Sequence, residues 1–92
     1  MKLKDRVALV TGGGRGIGQA IAIAFAEEGA DVIVAARSVD ELEETVQRIE
    51  ATGRKGIAVP VDLSQGETIA SFVETIASRR PAVDILVNNA GI

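Results

Sequence analysis

Four short apolar runs punctuate the chain at near-constant intervals: Val7-Ala8-Leu9-Val10, Val32-Ile33-Val34-Ala35, Ile57-Ala58-Val59 and Val83 to Val87, beginning 25, 25 and 26 residues apart. Each is continuous rather than alternating, which predicts strands buried on both faces, as in a parallel sheet covered by helices. The segments between them have helical period. Gly16 to Glu28 sets Ile17, Ala20, Ile21, Ala24 and Phe25 on one stripe, with Gly29 as the capping glycine. Ser38-Val39-Asp40-Glu41 is a capping box that opens a second helix, with Leu42, Val46 and Ile49 as its stripe and Gly53 at its end. Ser64-Gln65-Gly66-Glu67 repeats the device ahead of Ile69, Phe72, Val73 and Ile76, and Pro81 stops that helix.

Strands and helices alternating in this way predict βαβ units with right-handed crossovers and so an α/β fold on a parallel sheet, in the order βαβαβαβ. No linker, low-complexity tract or repeat motif interrupts residues 1–92, which are expected to form a single domain.

Composition narrows the function. Ten basic residues are scattered among thirteen acidic ones for a net charge of −3, so there is no basic stripe for nucleic acid. No apolar run approaches the ~18 residues of a membrane span, and Met1 to Asp5 lacks the core of a signal peptide, so a cytoplasmic protein is expected. With no Cys and no His, disulfides and zinc or haem sites are disfavoured. There is no Tyr and no Trp.

Directly after the first strand, Thr11-Gly12-Gly13-Gly14-Arg15-Gly16-Ile17-Gly18 runs into the first helix. A helix start offers free N–H groups and partial positive charge, and glycines let backbone approach a pyrophosphate closely. Gly12 suits the tight turn, Gly16 the close approach and Gly18 the packing of helix on sheet. No Gly-Lys-Ser/Thr follows, which disfavours a P-loop nucleotidase.

Thr11-Gly12-x-x-x-Gly16-x-Gly18, with Asn88-Asn89-Ala90-Gly91 after the fourth strand, resembles the paired motifs of the short-chain dehydrogenase/reductase family, of the 3-oxoacyl-ACP reductase-like kind. The resemblance runs the length of the chain and implies the amino-terminal half of such an enzyme: a Rossmann-type half-domain with strand order 3-2-1-4 and helices on both faces. It further implies that Gly12, Gly14, Arg15, Gly16, Ile17 and Gly18 hold a dinucleotide. Asp62 would accept from the adenine amino group with Leu63 beside it, Asn89 would lie near the adenosine ribose, Ala90 and Gly91 would also be cofactor-binding, and Asn88 would tie the central strand to its neighbours.

Cofactor choice is an electrostatic question, because NADP carries a 2′-phosphate that an acid repels and a guanidinium clamps. Ala36 stands where NAD-binding relatives are expected to have an acid; Arg37 and Ser38 follow, and Arg15 lies in the loop. The pattern predicts NADP, with NAD less favoured.

In the family, hydride transfer needs a Tyr acid/base with a Lys four residues on and a Ser at the substrate carbonyl. Ser38, Ser64, Ser71 and Ser78 fall at caps or on helices, and no Tyr exists. The chain is therefore expected to bind dinucleotide without catalysing, its full-length parent being the NADP-dependent oxidoreductase. The alternative is an engineered or reconstructed structural or self-assembling Rossmann fragment with a vestigial nucleotide site; a third is a piece active only beside a complementary carboxy-terminal half. An apolar fourth strand at a sheet edge also predicts self-association, through that edge or an uncovered face.

Overall fold

A computed structural model of the chain describes residues 3–12, 16–60 and 83–88. Within them run β1 (Val7–Thr11), α1 (Gly16–Glu27), β2 (Asp31–Ala36), α2 (Val39–Glu50), β3 (Gly56–Pro60) and β4 (Ile85–Asn88). The helix expected between Ser64 and Pro81 lies outside the described residues. All strand pairs are parallel, in the order β3-β2-β1-β4. The predicted α/β sheet and its order are both present.

The sheet is dry through its two inner strands. Val10, Val32 and Val34 share one core cluster with Ala22 and Ala26 of α1 and Leu42 and Ile49 of α2. Leu9, Ile33 and Ala35, one step out of phase, form a second cluster with the partly buried Val7, Ile57, Val59 and Val83. Period-two side-chain alternation on a fully buried strand produces this split. Burial on both faces holds for β1 and β2, but not for the marginal strands. β3 is half-buried, and β4 leaves Leu86 45% exposed, because each has a described strand on one side only.

The stripe expected on α1 is also shifted. The helix buries Gly18, Ala22 and Ala26, while Ile21 and Phe25 are half-buried, Ala20 and Ala24 are exposed and Ile17 is 66% exposed. Bulk pointed to the wrong line of residues. Three small side chains spaced four apart make a flat face that lies close to the sheet, with the larger ones wedged along one flank. The second helix follows its stripe: Leu42 and Ile49 are buried and Val46 half-buried. Its contact with β3 is tight, since a Cβ at Gly56 would stand 3.2 Å from both Ile49 Cγ2 and Val46 Cγ1.

At the strand starts, two carboxylates tie the sheet together. Asp84 accepts from Val7 N–H at 2.8 Å and pairs with Arg6 at 3.6 Å. Asp31 accepts from Lys55 N–H at 3.2 Å and pairs with Arg54 at 3.1 Å.

Candidate functional site

The other end of the sheet is where chemistry can be built. From β1 the order runs to β2 and β3 on one side and to β4 on the other, so the direction of winding reverses between β1 and β4. In open α/β sheets the crevice outside the carboxyl ends of the strands at such a reversal is the place for a ligand. Thr11, at the end of β1, is in register with Asn88 of β4, and its hydroxyl donates to Val87 C=O at 3.3 Å. Gly12 N–H donates to Ala35 C=O at 2.7 Å, which anchors the start of the loop to β2.

The chain turns here through left-handed backbone, Gly12 at φ 70° and Gly16 at φ 60°. Non-glycine residues reach that region only at a cost of about 1–2 kcal/mol. A Cβ on Gly16 would meet nothing within 4 Å, so the space beside it is open. Gly18 lies on the buried face of α1 and Ile17 is exposed. The first turn of α1 contains no acid, whereas that of α2 contains Asp40 and Glu41. The positive end of α2 is thus balanced by its own side chains, whereas the first turn of α1 supplies no acid of its own, a setting that suits an anion. Open space beside Gly16 and a first turn without an acid together fit a pyrophosphate.

A short step away, β2 ends at the half-buried Ala36, and Arg37 follows as an exposed bend. Ser38 takes extended backbone (φ −89°, ψ 113°) and caps α2, its Oγ accepting from Glu41 N–H at 3.3 Å. Strand end and helix cap therefore pin both neighbours of Arg37, while its side chain remains in solvent. Gly12, Gly16, Ile17, Gly18, Arg37 and Ser38 lie at this end of the sheet. Gly14, Arg15, Asp62, Leu63, Asn89, Ala90 and Gly91 lie outside the described residues.

Sequence reasoning missed a polar link between the two helices. Gln19 Nε2 donates to Thr45 Oγ1 at 3.0 Å, and Thr45 Oγ1 donates to Glu41 C=O at 3.1 Å. Thr45 is fully buried. It sits one position before Val46 in the α2 stripe, and a threonine among buried aliphatics was the available signal. Among the described residues no group of three or more His, Cys, Asp or Glu could hold a metal. Nor is any helix among them long and apolar enough to cross a membrane.

Known proteins share both the sequence and this geometry. The chain is 42% identical over 93 residues to the short-chain dehydrogenase/reductase homolog YusS of Bacillus subtilis, covering all of this chain and 85% of that protein. It is 44% identical over 90 residues to an oxidoreductase of Mycobacterium tuberculosis, covering 98% of this chain and 34% of the other. It spans about a third of the length of several other curated relatives it matches. A metagenomic short-chain oxidoreductase solved in complex with NADP superimposes with a TM-score of 0.90 at 39% identity, over all of this chain and 42% of that one. The family model for short chain dehydrogenase matches residues 6–92. With strand order, loop and family match in agreement, the chain belongs to the short-chain dehydrogenase family.

Proposed function

We propose that the chain is an NADP(H)-binding half-domain that does not catalyse by itself, and that a longer parent of the same family is a cytoplasmic NADP-dependent oxidoreductase. One observation carries the reading: the acid-free start of α1 stands at the sheet's carboxyl end together with Ala36-Arg37 at the end of β2. In this reading the start of α1 takes the pyrophosphate and Arg37, with Arg15, takes the 2′-phosphate; Ser38 borders that site, and Asp62, Leu63, Asn89, Ala90 and Gly91 complete the adenosine side. When bound, the dinucleotide would supply or accept a hydride. The sequence has no Tyr to exchange the accompanying proton. NADP in the metagenomic neighbour supports the choice of cofactor. Natural bacterial relatives at 42–44% identity lend the engineered-fragment reading no support.

Calorimetric titration with NADP and with NAD at low ionic strength is the direct test. NADP is expected to bind several-fold more tightly, with the gap closing as salt is added, because the difference is one screened phosphate–guanidinium interaction. Equal affinities at low salt would refute the preference.

We also propose that the 92-residue chain self-associates through β4. Among the described residues β4 pairs only with β1, and Leu86 is 45% exposed along it. Unpaired backbone beside an exposed leucine is a template for another strand, and a second β4 related by two-fold symmetry offers the same groups in return. Light scattering is expected to give a dimer mass for the wild type and a monomer mass for Leu86→Lys. A wild type that stays monomeric from micromolar to millimolar concentration contradicts the proposal.

A further inference from the structure

The two helix starts of the site belong to different helices, so their spacing depends on what joins α1 to α2. The buried face of α1 consists of Gly18, Ala22 and Ala26, with Ile21 and Phe25 packed against the core along one flank. A hydrogen bond adds a directional contact to that apolar packing. Gln19 Nε2 donates to Thr45 Oγ1 at 3.0 Å, Thr45 Oγ1 donates to Glu41 C=O at 3.1 Å, and Glu41 N–H donates to Ser38 Oγ at 3.3 Å. The chain of bonds begins in the first turn of α1, three residues from Gly16, and ends on the cap that follows Arg37.

We infer that Gln19 and Thr45 are positioning residues for cofactor discrimination: their hydrogen bond fixes the spacing between the anion-accepting start of α1 and the Arg37–Ser38 corner. The inference rests on the NADP reading above. A ligand with one phosphate engages one end and is indifferent to that spacing. A ligand with phosphates on both the 5′ and 2′ positions must satisfy both ends at once, so it alone senses the strut. Thr45 is polar at a fully buried position of an aliphatic stripe, and its hydroxyl accepts from Gln19 across the two helices while donating to Glu41 C=O in its own.

The test compares adenosine 2′,5′-bisphosphate with adenosine 5′-monophosphate on the full chain by calorimetry. The wild type is expected to prefer the bisphosphate. Thr45→Val, which keeps shape and removes the hydroxyl, and Gln19→Met, on a half-buried helix position, are each expected to reduce that preference about three- to tenfold, the size of one lost hydrogen bond. Monophosphate affinity should change less than twofold, and Thr45→Ser should restore the preference. Affinities for both ligands falling in parallel, or a preference unchanged in both variants, would overturn the strut while leaving the NADP reading intact. A wild type with no preference for the bisphosphate, or one that binds neither ligand at millimolar concentration, overturns both. Gln19→Met guards against a Thr45→Val variant that fails to fold, since its side chain is not in the core cluster.

Discussion

Leu9→Ala is expected to lower the stability of the chain by about 2–5 kcal/mol, a large shift in its unfolding midpoint. Leu9 is fully buried on β1, an inner strand, opposite Ile33 on one side and Leu86 on the other. Truncating it removes buried methyl groups and leaves a cavity, because strands paired on both sides cannot move in to fill it. A domain of this size holds on the order of 5–10 kcal/mol in total, so one such loss removes a large share of it. Leu86→Ala is the internal control. It is the same chemical change at the register partner, yet Leu86 is 45% exposed and has described neighbours on one side only. Its expected cost is under about 1.5 kcal/mol, in proportion to the smaller area withdrawn from water. Urea titrations of both variants at low protein concentration check the pair. Equal shifts in midpoint would show that β1 is not the centre of the core.

The second large effect concerns the cofactor. Arg37→Glu is expected to reduce the preference for NADP over NAD by roughly 10- to 100-fold, the 1.5–3 kcal/mol of a charge-assisted hydrogen bond, and to carry it past parity toward NAD. A carboxylate at this position repels the 2′-phosphate of NADP, whereas NAD carries only an uncharged hydroxyl there. Stability should barely change, since Arg37 is exposed. The measurement is the ratio of the two dissociation constants at low and moderate salt. A ratio unmoved by the charge reversal would remove Arg37 from the 2′-phosphate site and leave the α1 start to be judged separately.

How much of this could be read from the chain depends on the range of the interactions involved. Strands β1 and β2 announce themselves because a strand buried on both faces has to be apolar throughout, β3 and β4 by short apolar runs at the same spacing, and the capping box at Ser38 is visible because a cap and its partner lie three residues apart. The glycine loop was equally legible, since positive φ at Gly12 and Gly16 restricts the residue type locally. The α1 stripe was misjudged because hydrophobic bulk is a poor guide where close approach to the sheet selects Gly18, Ala22 and Ala26. Asp31, Asp84 and the Gln19–Thr45 bond went unseen for a different reason. Their partners stand 24, 77 and 26 residues away, and no local pattern marks a pairing made by the fold.

The sequence by itself therefore determined the alternation of strand and helix, the class of sheet and the glycine turn, all consequences of short-range sterics and of which side chains tolerate burial. The tertiary structure alone decided which face of α1 meets the sheet, which strands stand at its margins, and how Gln19 and Thr45 join the two helix starts. Those outcomes depend on which surfaces approach one another across the fold, and proximity between distant residues is a property of packing that no neighbouring residues encode.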